Sequence, residues 1–261
     1  MTGTRQPHVE RALEVVEAES ALLQRERNAF ERFLRRVERV QVGTAAGGSL
    51  GRTAPEGSGA APAQATLVTG DTPDGLREVR TAYRETVMAV SHYDREYGES
   101  LAEHAAAELG ESVAAQLVSG AAPAPVVKRA VVGAAGEARD SRKELVAVLD
   151  RERDSLQGVK ADLDEIERTV YELGRQVSNA ARSGELAAID ADLEAAEKRC
   201  TDLLNRRQKL VHGRSAAAVS GVEADSLARY LYSGLETRCP ALADIAACLD
   251  SIRTHRTRCL R

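Results

Sequence analysis

The sequence has no tryptophan, and only two phenylalanines and six tyrosines occur among its 261 residues. β-Sandwiches and β-barrels fill their cores with aromatic and β-branched residues, so this scarcity argues against both architectures. Aliphatic side chains compensate for it, because 43% of the residues are hydrophobic. The length and the apolar content therefore allow one elongated domain or two compact domains with a substantial core.

Long apolar runs are absent as well. The longest uncharged stretch, residues 112–127, is interrupted by Gly120, Pro123 and Pro125, and it is shorter than the ~20 residues that a membrane-spanning helix needs. The first ten residues lack the apolar segment of a secretory signal, and four cysteines are too few to suggest a disulfide scaffold. We therefore expect a cytoplasmic protein that does not bind membranes.

Charge and motifs give no support for a nucleotide-dependent enzyme. The formal net charge of −4 provides no general attraction to nucleic acid. The phosphate-binding pattern G-x-x-x-x-G-K-[ST] does not occur in the sequence. We predict a non-enzymatic protein that binds no cofactor.

The chain does carry long helical patterns, separated by one segment of different composition. In residues 1–42, apolar residues alternate in steps of four and three from His8 onward, which predicts one long N-terminal helix. Residues 43–70 are mainly Gly, Ala, Ser, Thr and Pro, and we predict a flexible linker because they cannot bury enough apolar surface to offset their ordering. Residues 71–124 are predicted to form short helices, at about 73–90, 99–109 and 111–119, that end at glycines.

Residues 125–213 carry the clearest pattern, which predicts an antiparallel coiled-coil hairpin. Two series of apolar residues at heptad spacing are separated by a short polar break at 178–184, and charged residues occupy most other positions. So short a break favours two helices that run in opposite directions. The predicted seam consists of Leu145, Leu149, Leu156, Val159, Leu163, Ile166, Val170, Leu173, Val177, Leu186, Ile189, Leu193, Leu203 and Leu210.

Glu152 and Arg207 are the polar residues within this predicted seam. Both lie toward the open end of the hairpin, where a buried ion pair would fix the register of the two helices. Fraying of an exposed end would explain the same two residues. The sequence does not choose between these explanations.

Residues 214–261 are predicted to form short helices, at about 223–235 and 240–258, that cap one end of the bundle, and Pro240 marks a helix start. The N-terminal helix has nearly the length of the hairpin arms and a wide apolar stripe, so it can pack along them. The predicted fold is therefore all-α, with a long antiparallel coiled-coil hairpin packed with the N-terminal helix as a three- or four-helix bundle, plus short helices. A dimeric coiled coil would bury the same stripes and is the alternative.

The candidate metal ligands are Cys248, His255 and Cys259, which fall on one face of the last predicted helix. The paired spacing of typical zinc sites, such as C-x2-C, is missing, and free cysteines are commonly small core residues. We therefore predict no metal site, with these three residues as weak candidates.

The same helix is rich in basic residues, which permits binding to nucleic acid. A basic helix C-terminus is also favoured by the helix dipole alone. DNA binding is therefore an alternative prediction rather than the leading one. The basic residues are Arg253, His255, Arg256, Arg258 and Arg261.

Residues 91–97, together with His104, form a second candidate cluster, because they combine histidine, tyrosine and carboxylate side chains that can transfer protons or bind a metal. His92 and Glu96 are four residues apart, and so are His104 and Glu108. Solvated pairs along a helix are the simpler explanation of both spacings. We do not predict a catalytic role for this cluster.

Three segments together resemble a family of uncharacterised coiled-coil proteins from halophilic archaea. They are Ala82–Val90 running into His92 and Tyr93, then Leu149–Leu156, and finally Tyr230–Tyr232 followed by Pro240–Leu242. The resemblance covers most of the chain outside residues 43–70. It implies a cytoplasm at molar salt, and it implies no activity and no site residues.

The heptad seams favour a scaffold or adaptor protein that acts through coiled-coil contacts. Its expected partner is another protein or a second copy of the chain. The alternatives are a DNA-associated regulatory or architectural protein that uses the basic C-terminal helix and, more remotely, a metal-binding enzyme.

Overall fold

A computed structural model describes residues 6–41, 73–120, 124–179, 183–215 and 224–260. Within these ranges the regular structure is helical throughout, which confirms the predicted all-α class. The predicted linker at 43–70 lies outside the described residues. The helices are α1 (His8–Arg39), α2 (Pro73–Thr86), α3 (Tyr93–Glu96), α4 (Leu101–Leu109), α5 (Glu111–Ser119), α6 (Ala124–Asn179), α7 (Ser183–Ser215), α8 (Ala224–Leu231) and α9 (Pro240–Cys259).

The helix ends follow local rules that the sequence already contains. Helix α4 begins with a capping box, in which the Ser100 side chain accepts from the backbone of Glu103 while the Glu103 carboxylate accepts from the backbone of Ser100. Helices α4 and α5 end at Gly110 and Gly120, which have φ angles of 86° and 66°. Only glycine adopts such positive angles without strain, so each one ends its helix there.

The chain divides into two compact units, and each combines segments that are distant in sequence. Unit 1 consists of Met1–Leu23 and Glu144–Arg261, and unit 2 consists of Gln24–Lys143. Helices α1 and α6 each contribute a segment to both units. The boundaries predicted from composition followed the chain in order, whereas these units depend on packing between remote segments.

In unit 1, the later part of α6 and the whole of α7 run antiparallel. Asp162 of α6 pairs with Arg206 of α7, and Glu165, one turn further along α6, pairs with Arg199, which lies earlier in α7. The N-terminal part of α1 shares one apolar core with both helices and with α8 and α9. This core includes Val16, Leu156, Ile166, Leu193 and Ile245, which are all fully buried.

Helix α9 also provides the N-terminal cap of α1. The Asp244 carboxylate accepts from the backbone N–H of Val9 at 2.7 Å, and its other oxygen lies 2.6 Å from Nδ1 of His8. The first N–H groups of a helix have no partner within the helix and attract negative charge. A side chain near the end of the sequence therefore stabilises the start of the first helix.

Unit 2 has its own apolar core, which the rest of α1 forms with α2, α4, α5 and the start of α6. Phe33 and Tyr83 meet edge to face, with their ring centroids 5.2 Å apart, which is a favourable aromatic geometry. Lys128 of α6 donates to the backbone oxygens of Glu38 and Val40 at 3.1 and 2.6 Å. It thereby satisfies carbonyl groups at the C-terminal end of α1.

None of the described helices combines the length and the apolar character needed to cross a bilayer.

Candidate functional site

A buried polar network in unit 2 is centred on Glu26 of α1. One oxygen of its carboxylate lies 2.9 Å from both Nε2 of His92 and the hydroxyl of Tyr97. The other oxygen accepts from Nε of Arg142 at 3.0 Å. The Glu26 side chain is 11% exposed and that of His92 is 3% exposed, so the carboxylate interacts with protein groups rather than with solvent.

Arg142 of α6 connects this carboxylate to a second one. Its Nη2 donates to Glu108 of α4 at 2.6 Å, and its Nη1 donates to the backbone oxygen of Ala138 at 3.3 Å. The guanidinium carbon lies 4.9 Å from the ring centre of Phe30, within the range of a cation–π contact. One buried cation therefore contacts two carboxylates and an aromatic ring. A lysine at this position could not make the same set of contacts.

His104 occupies an aromatic cluster beside this network. Its Nδ1 lies 2.9 Å from the hydroxyl of Tyr83, and its ring meets those of Tyr93 and Tyr97 edge to face, with centroid distances of 5.0 Å. Tyr93 in turn donates to the backbone oxygen of Glu99 at 3.0 Å. Three tyrosine rings therefore surround the His104 ring.

The protonation of these groups follows from burial and from the nearby charges. Burial by itself raises the pKa of Glu26, but hydrogen bonding from His92, the charge of Arg142 and hydrogen bonding from Tyr97 outweigh it, so the pKa of this carboxyl lies below its ordinary value. Burial lowers the pKa of His104. Burial also raises the pKa of Tyr97, and the negative charge of Glu26 raises it further. At neutral pH the network therefore contains an ionised glutamate, a neutral His104 and a protonated Tyr97.

His92 retains one nitrogen that the network does not use. Because an ionised carboxylate can only accept hydrogen bonds, the hydrogen of His92 lies on Nε2, which donates to Glu26. Its Nδ1 is buried and has no hydrogen-bond partner within the described part of the chain. A carboxylate orients the imidazole of a general base in the same way.

The structure assembles part of the cluster predicted at residues 91–97. His92, Tyr97 and the nearby His104 enter the network, whereas Asp94 is exposed and Glu96 pairs with its neighbour Arg95. The expectation of solvated pairs along a helix is wrong for His92 and Glu96, because His92 is buried and bonded to Glu26 instead. It is also wrong for His104, which contacts Tyr83, and for Glu108, which contacts Arg142.

Sequence reasoning did not assign Glu26, Arg142 or Tyr83 to a site, and it paired Glu108 with His104 rather than with Arg142. A signal was present for Glu26, because it lies four residues before Phe30 on the apolar stripe of the first helix, where a charge needs a partner. No signal identified Arg142 as that partner, since the two residues are far apart in the chain and meet only through packing.

Unit 1 contains a smaller buried polar cluster at the predicted register pair. Arg207 donates to both oxygens of Glu152, at 2.6 and 3.3 Å, and both side chains are about 95% buried. The hydroxyl of Tyr232, which follows α8, donates to Glu152 at 2.6 Å, and Arg207 also donates to Ser155 at 2.7 Å. The pair is therefore buried rather than frayed, and it holds the end of α8 as well as α6 and α7.

The predicted seam residues lie mainly in the interior of unit 1. Leu145, Val177 and Leu186 are half-buried, Leu210 is exposed, and the other ten seam positions are buried. The side chains of α1, α8 and α9 cover these positions together with the two helices of the seam.

The three weak metal candidates of α9 have separate surroundings. Cys248 is buried in the core of unit 1 together with Cys200, His255 packs against Gly174, and Cys259 is half-buried at the end of the helix. Among the described residues, no three His, Cys, Asp or Glu side chains are grouped as metal ligands would be.

Two of the basic residues of α9, Arg253 and Arg256, pair with carboxylates of α7. Arg256 contacts Asp190, Glu194 and Glu197 at 3.0, 3.3 and 2.8 Å, and Arg253 contacts Glu197 at 3.0 Å. These pairs neutralise much of the positive charge that suggested nucleic-acid binding.

Comparison with known proteins gives a family. A family model described as "Domain of unknown function (DUF7260)" matches residues 7–256. The chain belongs to this family. No protein with curated annotation and no solved structure matches it significantly. The family spans both compact units, and its description assigns no activity.

Proposed function

We propose that this chain is a non-enzymatic scaffold or adaptor protein of the cytoplasm, which binds another protein or a second copy of itself through the outer faces of its long helices. The proposal rests on one observation: most residues of the predicted seam are buried inside unit 1. The apolar stripes of α1, α6, α7 and α9 cover one another, so these helices form a stiff support. A partner would therefore bind the outer faces of the helices.

Tyr171 of α6 marks such an outer face. It is 67% exposed, and it lies on the side of α6 opposite the buried Val170 and Leu173. Arg168 and Arg175, which are also exposed, stand three residues before and four residues after it on the same face. Tyrosine and arginine are the residues most enriched at protein–protein contacts, so this face suits a protein partner.

The polar network of unit 2 supports a structural role more than a catalytic one. Glu26, Tyr97, Glu108 and His104 each contact another side chain of the network, and these contacts join α1, α4 and α6. Such a buried polar network stabilises a unique packing arrangement when its groups are paired, and among the described residues Nδ1 of His92 is the one buried atom of this network without a partner. This favours the scaffold over the metal-binding enzyme.

DNA association through α9 receives less support, because Arg253 and Arg256 already pair with α7. The setting that accompanies our proposal is the one that the resemblance implies, a halophilic archaeal cytoplasm at molar salt.

The proposal is tested with the full-length chain and the variant Tyr171→Ala, with Glu172→Ala as the matched control at a neighbouring exposed position. Each protein is sedimented over a concentration series at molar potassium chloride, and is used as bait in a lysate of the same salt. We expect a species heavier than the 28.0 kDa monomer, or a partner at constant stoichiometry, for the wild type and the control, and an association weaker by about tenfold or more for Tyr171→Ala. Monomers at every concentration without a stoichiometric partner would contradict the proposal.

A further inference from the structure

Two of the four cysteines meet in the core of unit 1. Cys200 of α7 is 0% exposed and Cys248 of α9 is 3% exposed. The Cys200 thiol donates to the backbone oxygen of Ile245 at 3.6 Å, and Ile245 lies one turn before Cys248 on α9. Cys200 and Cys248 belong to the same buried cluster, and the pKa of each thiol is shifted by the other. The sulfur of Cys200 therefore lies against the turn of α9 that presents Cys248.

The other two cysteines have different surroundings. Cys239, at the start of α9, is exposed, and Cys259, at its end, is half-buried. They stand at opposite ends of a helix of 20 residues, which is about 30 Å long. The contact between Cys200 and Cys248 is thus distinguishable from any reaction of the more accessible thiols.

We propose that Cys200 and Cys248 form a disulfide when a hydroperoxide oxidises the protein, and that this bond fastens α9 to α7. The bond would join two helices that are not adjacent in sequence. In a reducing cytoplasm, such a disulfide is transient and reports on oxidising conditions.

The reaction needs no group beyond the two thiols and the peroxide. The Cys200 thiolate attacks one peroxide oxygen and becomes a sulfenic acid, while the other oxygen leaves as water or as an alcohol. The Cys248 sulfur then attacks the sulfenic sulfur and displaces hydroxide, which takes the proton of Cys248 and leaves as water. The two thiols lose two electrons and two protons, and hydrogen peroxide is reduced to two waters.

The surroundings assign different roles to the two thiols. The proximity of Cys248 lowers the pKa of Cys200, and the proximity of Cys200 together with burial raises the pKa of Cys248. Cys200 is therefore the thiol that ionises first and reacts with the peroxide, and Cys248 resolves the product. Because both are buried, the peroxide reaches them when α9 opens locally.

The test uses the full-length chain, reduced, freed of reductant and treated with hydrogen peroxide. The remaining thiols are then alkylated with N-ethylmaleimide in denaturant. We expect the number of alkylated thiols to fall from four to two, the unalkylated protein to lose the mass of two hydrogens, and peptide mapping to join Cys200 to Cys248. Dithiothreitol should restore all four thiols, and the oxidised chain should melt at a higher temperature than the reduced chain.

The variant Cys239→Ser is the matched control, because it removes the exposed thiol and should leave the reaction unchanged. The variant Cys248→Ala should instead accumulate a sulfenic acid at Cys200 that dimedone traps. If this variant fails to fold, peptide mapping of the wild type decides alone. Oxidation confined to Cys239 or Cys259, with Cys200 and Cys248 still alkylated, would overturn the proposal.

Discussion

At the scale of single residues, Gly174 is the position at which a small change should have the largest effect. A Cβ atom placed there would lie 2.5 Å from Cε1 of the His255 ring. Real Cβ atoms do not approach other atoms so closely, so the ring or the helix would have to move. The absence of a side chain at Gly174 therefore sets how closely α9 packs on α6.

We predict that Gly174→Ala destabilises the protein by about 1–3 kcal/mol, the usual cost of overpacking, even though alanine is the better helix former. Gly158→Ala is the matched control, since a Cβ at that helical position meets no atom within 4 Å; it should stabilise by up to about 1 kcal/mol. Urea unfolding of both variants provides the comparison. The variant His255→Ala removes the ring, so Gly174→Ala introduced into that background should lose most of its destabilising effect. Equal effects of the alanines at positions 174 and 158 would show that the close approach of the ring does not limit the packing.

At the scale of elements, the buried pair of Glu152 and Arg207 links α6 to α7. The hydroxyl of Tyr232 holds the end of α8 against the same carboxylate. Substitution of one partner by an apolar residue leaves the other charge buried without compensation. Substitution of both removes the desolvation cost along with the attraction. The two kinds of variant therefore separate the requirement for a charge from the requirement for filled space.

We predict that Glu152→Leu alone destabilises the protein by about 3–5 kcal/mol, and that the double variant Glu152→Leu with Arg207→Met recovers most of this loss. Urea unfolding of the single and double variants measures the coupling. The hydroxyl of Tyr232 loses its acceptor in both, so Tyr232→Phe in each background corrects for it. A double variant as unstable as the single one would mean that the ion pair itself, rather than the buried charge, holds the helices.

Helix positions were also the part of the fold that the sequence predicted best. The bounds predicted for 111–119 are those observed for α5, and those for the helix from Pro240 differ by one residue at its end. Periodicity, glycine and proline act within a few residues, so they can be read locally. The second helix was predicted to reach residue 90 but ends at Thr86, because the N–H of Met88 bonds to the oxygen of Tyr83, five residues back, and the backbone turns.

The polar network could not be predicted in the same way. Glu26, His92 and Arg142 belong to three separate segments of the chain, and no local pattern relates them. Glu152 and Arg207 were recognised as a candidate pair only because both interrupt a heptad pattern. A buried charge is visible in a sequence when it interrupts a regular apolar series, but its partner becomes visible only when the helices are packed.

At the scale of the whole molecule, the two units should respond differently to acid. In unit 2, the pKa values of Glu26 and His104 both lie below their ordinary values. A group whose pKa is lowered by folding stabilises the folded state fully above its unfolded pKa, and this stabilisation is lost as the pH falls through the folded pKa. The loss should begin below the unfolded pKa of histidine, about 6.5, and continue below that of glutamate, about 4.3.

We predict that amide hydrogen exchange in unit 2, relative to unit 1, becomes faster as the pH is lowered from about 7 to about 4, after correction for the intrinsic rate. Amide hydrogen exchange should accelerate most in α4 and in residues 24–39, since these segments carry His104 and Glu26. The variant His104→Gln removes the imidazole and should flatten the part of the profile between about pH 7 and pH 5. Equal acceleration in both units would contradict the assignment of the response to these two groups.

The division into units has a consequence for the order of events during synthesis. All of unit 2 is encoded between residues 24 and 143, so it can fold while the rest of the chain is still being translated. Unit 1 needs the first 23 residues together with those from 144 onward, and Asp244 caps the helix that begins at His8. The N-terminal segment therefore remains without these partners until residues 144–244 have been synthesised.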